Sequence, residues 1–316
     1  MAWFILRRLA LIPVALLLVN CLGFSYAHLA QGVRAARDPY QAAEEGPPLL
    51  PAYAAYLRDA VRLDLGVLPY AAGQYTVVGM LGRSGVARLG LMAIAAVISI
   101  FVGMTLGLRS VRAEPPRASL WLTAFGTVGL AMPSFFAGSL MIAGAVAFLI
   151  WGPDVDIPVP LGGYGWDAHL VLPVLALLVR PAAQIAQVTS GLLVDELGKQ
   201  YVVAARSAGH SWRSIFRRYA FRNILPSVFV TIGGSLRLLV GELIIVEWLF
   251  SWPGLGRLVA QTLVPARTTS AAESLQFLHP PLLAAALTTI AAFFLLVDFA
   301  ASTLAATVDP RLRSAM

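Results

Sequence analysis

Among the ionisable side chains that stand within or near the ends of oily stretches of the sequence are Arg180, Arg237, Glu242, Glu247 and Asp298. A charge at the centre of a bilayer costs about 2.5–3.5 kcal/mol on insertion scales, so such groups face a water-filled cavity or a partner. The chemistry open to them is therefore ion pairing or contact with a charged solute. Pairing of Arg180 or Arg237 with Glu242 is the preferred expectation, because buried charges tend to pair. The alternative is that Arg180, Arg237 and Glu242 line a pathway and touch a charged solute. A phosphate loop is missing. G-x-x-x-x-G-K-[ST] needs a lysine between glycine and Ser or Thr, and the only lysine, Lys199, is followed by Gln200, with Leu193 where the leading glycine should be. His28, His169, His210 and His279 are scattered without metal-ligand spacing, so no resident metal is expected. Cys21 is the only cysteine, which excludes an intrachain disulfide; it reads as a small buried hydrophobe.

The elements that must hold these charges are membrane spans. Of 316 residues 59% are hydrophobic and only 12% charged, half the charge of a soluble domain. Six apolar runs near the ~20 residues needed to cross the hydrocarbon core can be drawn, at roughly 9–29, 86–108, 120–150, 170–193, 224–249 and 281–305. The first is too long for the apolar region of a signal peptide and no clean A-x-A site follows, so it is expected to be retained. The third is long enough to tilt or to break at Pro133. Pro133 and Arg180-Pro181 can each free carbonyls within a span, giving a kink or a hinge, and Phe135 and Phe136 beside the first read as packing ahead of gate.

Arginine placement orients the spans, since cytoplasmic loops of membrane proteins carry the excess of Lys and Arg. With the N-terminus inside, Arg7, Arg8, Arg109, Arg112, Arg117, Lys199, Arg206, Arg213, Arg217, Arg218, Arg222, Arg311 and Arg313 are cytoplasmic. The short outer segment 151–169 holds Asp154, Asp156 and Asp167 and no Lys or Arg. Both termini are therefore expected in the cytoplasm. The net charge of +7 reflects this bias and not a nucleic-acid partner. Residues 1–85 read as the first span with an outer layer, in which EEGPPLLP is a loop and LLPAYAAYLRDAVRLDLG a helix along the membrane surface. Residues 86–316 hold the other five spans. No internal repeat supports an inverted-repeat transporter.

The segment 195–226, which contains YVVAARSAGHSWRSIFRRYAFRNILP, is basic and amphipathic. Leu197, Tyr201, Ala204, Ala205 and Ala208 form one helical stripe made largely of small residues, and Gly209 suits a C-cap or tight turn. A second helical stretch puts Trp212, Ile215, Phe216 and Tyr219 on one face, with Arg213 and Arg217, and Arg218 and Arg222, paired at i, i+4 along another. Anionic lipid would satisfy the arginines at about 1 kcal/mol each, so membrane lipid is an expected contact. Lipid does not explain a bare alanine face, whereas small side chains suit close docking into a protein groove.

This segment resembles the EAA loop of ABC-importer permeases, in which a short coupling helix docks into a cytoplasmic ATPase. KQYVVAARSAGHSWRSIFRRYAFRNILP is similar to the branch serving dipeptides, oligopeptides and nickel, with matches at Tyr201, Val202, Ala205, Arg206, Gly209, Arg222, Asn223, Leu225 and Pro226. The glutamate that names the motif is absent at Ala204, as that branch permits. GLAMPSFFAG at 129–138, LVLPVLAL at 170–177, FSWPGLGRL at 250–258 and DPRLR at 309–313 match further family elements in the same order, and LRDAVRLDLG and GQYTV are weaker echoes. Glu247 matches a glutamate usual before the WPGLG-like loop. Arg180, Arg237 and Glu242 depart from the apolar or small residues usual at their positions. Asp298 stands where asparagine is common, and Ser302 where aspartate is.

The resemblance implies an all-α membrane protein with the six-helix fold of a type I importer permease, in a prokaryotic inner membrane. It implies a coupling site of Tyr201, Ala204, Ala205, Arg206, Ala208 and Gly209. Pathway candidates are Pro133, Phe135, Arg180, Arg237, Glu242 and Asp298. An outer gate loop would use Glu247, Trp252, Pro253, Gly254 and Gly256, although Trp252 and its neighbours could equally be a tight turn with an interfacial tryptophan. Implied partners are a second, similar permease, two cytoplasmic ATPases holding ATP and magnesium, and an external solute-binding protein. This chain would bind no cofactor and be no enzyme. The substrate would be a di- or oligopeptide, with nickel chelates or another small solute as the alternative. Two other classes fit the residues less well: an ATP-independent transporter using the charges at 180, 237 and 242 as a relay, and a membrane scaffold that recruits a cytoplasmic partner. The stretch PARTTSAAESLQFLHPP is longer than the family pattern and could alter docking of the binding protein.

Overall fold

The computed structural model describes residues 2–37, 47–70, 73–113, 115–151, 159–264 and 276–308. The stretch 265–275, the outer aspartates 154 and 156, and the DPRLR tail lie outside them. Among the described residues six helices are long and apolar enough to cross a membrane: Ala10–Arg34, Val77–Arg109, Ser134–Trp151, Ala168–Leu197, Trp212–Leu249 and Pro280–Ala305. The chain divides into two compact units, Ala2–Leu89 with Ser251–Leu295, and Gly90–Phe250 with Leu296 onward.

The unit containing the N-terminus is built on α1 (Ala2–Arg37), α2 (Leu49–Val61), a hairpin of β1 (Val67–Tyr70) and β2 (Gly73–Thr76), and the start of α3 (Val77–Arg109). The hairpin is antiparallel, in register Val67↔Thr76 to Tyr70↔Gly73. The expected surface helix stops at Val61 and not at Gly66, because Leu63 takes φ +59 and turns the chain. An aromatic cluster pins α2: Phe24 of α1 stacks on Tyr56 at 5.0 Å. Beside it, Asn20 Nδ2 donates to Tyr56 Oη at 2.9 Å and to Thr288 Oγ1 at 3.0 Å, and Tyr53 Oη donates to Asn20 Oδ1 at 3.2 Å. A polar side chain inside a span is thus supplied with partners from two other helices, as a buried amide requires. Leu258 and Val259 of the amphipathic α10 (Leu255–Leu263) and Leu282, Leu283 and Ala286 of α11 (Pro280–Val308) close the core over Ala27, Leu68, Val77 and Met80.

The second unit is organised around α6 (Val171–Leu197). Its Ala176, Ala182, Ala183 and Ala186 are fully buried, and small side chains let backbones approach in membrane helices. Gly103 and Gly107, one turn apart on α3, meet this face: a Cβ on them would lie 2.9 Å from Ala182 O and 2.7 Å from Ala186 O. On α4 (Leu120–Ala131), a Cβ on Gly129 would lie 2.7 Å from the Ala183 methyl. The third apolar run breaks between α4 and α5 (Ser134–Trp151): Met132 is extended at φ −92, ψ 111, the conformation forced on a residue before proline. A short hairpin, β3 (Val111–Ala113) and β4 (Pro116–Ala118), joins α3 to α4 and packs on α6. The helix α9 (Phe221–Leu249) lies along α6 and carries Pro226 within it.

Candidate coupling segment and intramembrane charges

Between α6 and α9 the chain forms a separate eight-residue helix, α7 (Gln200–Ser207). It is closed by a Schellman turn: Gly209 N–H donates to Arg206 O at 2.8 Å and His210 N–H to Ala205 O at 3.1 Å. Gly209 takes φ +82, a left-handed conformation in which glycine avoids the Cβ clash of other residues. Ser211 then caps one turn of α8 (Trp212–Ile215), its side chain accepting from Ser214 N–H. A π-helical turn at Phe216–Ala220 leads into α9, so the second helical stretch and the fifth span are one continuous element. Such wide turns insert one residue and recur at functional sites.

The small-residue stripe is only partly the face that remains open. Val203, Ala204, Ser207, Ala208 and Gly209 are exposed and Ala205 is half-buried. Val202 is the side chain by which α7 packs inward. Arg206 lies across the Trp212 ring with its guanidinium 4.6 Å from the centroid. Tyr201 turns back toward the protein. Its hydroxyl donates to Glu196 Oε1 at 2.8 Å, which, after burial, pushes its pKa up to about 12. The same Glu196 oxygen accepts from Asn223 Nδ2 at 2.8 Å, and Oε2 accepts from Lys199 Nζ at 2.5 Å. Glu196 was not among the residues the sequence singled out. Its only local signal is the i, i+3 spacing to Lys199, which on a helix surface is ordinary. An apolar cleft of about 240 Å³ adjoins this segment, lined by Leu108, Val111, Leu193, Leu197, Trp212, Arg213 and Phe216.

Among the described residues, two ion pairs join neighbouring spans. Arg180 Nη1 donates to Glu242 Oε1 at 2.9 Å, joining α6 to α9, with side chains 34% and 13% exposed. Arg237 Nε stands 2.8 Å from Asp298 Oδ1 and Nη2 donates to Ser302 Oγ at 3.2 Å, joining α9 to α11, with Arg237 and Asp298 36% and 30% exposed. Ser235 Oγ donates to Gln184 Oε1 at 3.2 Å, adding a neutral bridge from α9 to α6. Pro133 is half-buried at the break between α4 and α5, and Phe135 and Phe136 are exposed on the first turn of α5. Among the described residues no group of three or more His, Cys, Asp or Glu could hold a metal.

Glu247 is fully buried at the end of α9. Trp252 is not an interfacial ring: it is 0% exposed, and its indole N–H donates to Ala87 O in α3 at 3.0 Å. Pro253 is half-buried, Gly254 N–H donates to Trp252 O at 2.8 Å, and Gly256 is buried in the first turn of α10. The Arg257 guanidinium donates to Ser251 O and closes this turn.

Comparison with known proteins gives a consistent result. Residues 99–314 match the family described as the binding-protein-dependent transport system inner membrane component. The chain is 27% identical over 322 residues to the glutathione transport system permease protein GsiC of Escherichia coli K12, covering 97% of each chain. It is 29% identical over 177 residues to a provisionally named peptide transport system permease protein of Brucella suis biovar 1, covering 56% of each. The chain thus spans just over half the length of the Brucella relative and nearly all of the Escherichia coli one.

Proposed function

The chain belongs to the family of binding-protein-dependent transport system inner membrane components, and from that premise we propose that it is the permease subunit of an ATP-driven importer. The family consists of multi-pass inner-membrane transport permeases and is not itself enzymatic. Hydrolysis therefore falls to separate ATPase subunits that hold ATP and magnesium. The observation that supports the reading most is α7, a helix with an open face of small residues, set off between two spans by a Schellman turn. Two ATPases would grip this helix and its counterpart on a second, distinct permease. Both termini would be cytoplasmic, and an external binding protein would deliver the substrate. Tyr201, Ala204, Ala205, Arg206, Ala208 and Gly209 make up the coupling segment, with Tyr201 tied to Glu196 and Arg206 laid over Trp212.

ATP binding would draw the two coupling helices together and rock the spans from inward- to outward-facing; hydrolysis would reset them. The pathway runs along the face where the Arg180–Glu242 and Arg237–Asp298 pairs open. A charge exposed to lipid is costly, so the third of Arg180 and of Arg237 left open in the single chain belongs against water or the second permease. Pro133 supplies the bend and Phe135 a wall, and Glu247, Trp252, Pro253, Gly254 and Gly256 belong to the gate loop. A di- or oligopeptide is the substrate class: the relatives named above are permeases for glutathione, itself a tripeptide, and for peptides, and paired charges suit a solute with charged termini. The test is purification of the chain from its native membrane. Recovery of two ATPases and a second permease, with hydrolysis stimulated by peptide-loaded binding protein, is expected. Recovery of a lone, ATPase-free transporter overturns the reading.

A further inference from the structure

We propose that Glu196 is the positioning residue that makes α7, the end of α6 and the start of α9 move as one body. The proposal rests on the reading of α7 as the ATPase-facing helix and concerns how its motion reaches the membrane. An eight-residue helix is too short to hold its own shape in water, and Val202 is the one fully buried side chain of α7, with Tyr201 and Ala205 half-buried. Apolar packing gives an ATPase little to pull on. Glu196 supplies the missing attachment. It is 5% exposed, in the last turn of α6, and its carboxylate gathers donors from three places. These are Lys199 at the link before α7, Tyr201 in the first turn of α7, and Asn223 in the first turn of α9. Bonds to an ionised acceptor are shorter and stronger than neutral ones. A carboxylate offers two accepting oxygens, whereas an amide offers one and turns a donor toward its other neighbour. Glutamine at 196 therefore keeps the volume and loses the clamp, presenting –NH2 to the Lys199 ammonium. Lys199 is the only lysine of the chain. Its reach from the residue preceding α7 fixes where that helix starts, and Asn223 ties the same carboxylate to the span beyond the π-helical turn.

Hydrogen–deuterium exchange on the assembled complex, with and without Mg-ATP and vanadate, separates docking from transmission. In the wild type both Gln200–Ala208 and Phe221–Ser227 should change their exchange on trapping. In Glu196→Gln the response of α7 should persist, since the ATPase still docks, while the response of Phe221–Ser227 falls by more than about half. Tyr201→Phe and Asn223→Ala each remove one donor, should give smaller losses, and decide the matter if the glutamine variant fails to assemble. Adding Lys199→Gln to Glu196→Gln removes the clash of donors and should recover part of the response, which a purely structural defect would not show. An unchanged response of Phe221–Ser227 in all three single variants overturns the proposal. A wild-type chain that binds no ATPase overturns the reading beneath it as well.

Discussion

Gly209 is the position at which a small change should be felt most clearly. Its φ of +82 and its N–H bond to Arg206 O make the turn that ends α7. Nothing lies within 4 Å of a Cβ built there, so the cost of a side chain is conformational and not steric contact with neighbours. A left-handed backbone costs an L-residue about 1–2 kcal/mol, and less for asparagine. Gly209→Ala should therefore disfavour the native turn by that amount, a factor of roughly 5–30 in population. Gly209→Asn should fall well below this. Gly209→Pro has φ locked near −65, roughly 150° away, and no N–H. It loses the bond to Arg206 O outright, and the bond from His210 to Ala205 O cannot form across the altered turn. At about 1 kcal/mol for each bond, plus the misdirected exit toward Trp212, the turn is lost. The assay is ATP hydrolysis by the complex in nanodiscs, with and without binding protein and the tripeptide trialanine. Stimulation should rank wild type, Asn, Ala, Pro, with Pro at basal rate. Full stimulation in Gly209→Pro, or alanine above asparagine, would refute the placement of the coupling turn.

Other consequences are as concrete. Arg180→Ala leaves Glu242 with no partner in a largely buried site; removing one member of a buried pair costs about 3–5 kcal/mol, less here because Arg180 is a third exposed. Melting of the purified complex should show that loss, largely recovered in Arg180→Ala/Glu242→Ala; lower peptide uptake by the stable double variant would mark the pair as pathway-lining, and unchanged uptake as a brace only. Trp252→Phe removes a buried N–H bond to Ala87 O and leaves a small void, so a destabilisation of about 1–3 kcal/mol is expected in the same melt. Gly107→Val drives a side chain into Ala186 O and should cost more than about 2 kcal/mol and lower assembly. Gly144→Ala, with nothing within 4 Å of the added methyl, should be neutral or slightly stabilising, as alanine favours helix over glycine by about 1 kcal/mol.

What the sequence made legible was what a single helix or turn decides locally. The apolar runs marked the spans, Pro133 marked the break between α4 and α5, and the alanines before Gly209 marked α7 and its end. Helix ends beyond the hydrocarbon were less visible: α3 begins at Val77, ahead of its apolar run, because a helix can continue into water without a hydrophobic signal. The π-helical turn at Phe216–Ala220 has no signature in residue type. Sites that depend on convergence were hidden. Glu196 draws its partners from as far as Asn223, and Asn20 from as far as Thr288, and no period or spacing joins such residues. The grouping of Ser251–Leu295 with Ala2–Leu89 was equally out of reach of a linear scan. The two intramembrane pairs lie between these extremes. That such charges would find partners followed from the cost of leaving them alone, but which arginine met Glu242 required the packing of α6 on α9.

The most direct measurement is uptake of radiolabelled tripeptide into proteoliposomes holding the purified complex, with binding protein outside and ATP inside. Uptake should require both, survive collapse of the proton gradient, and disappear in Gly209→Pro. Uptake driven by a proton gradient from this chain alone, without ATPases, would contradict that.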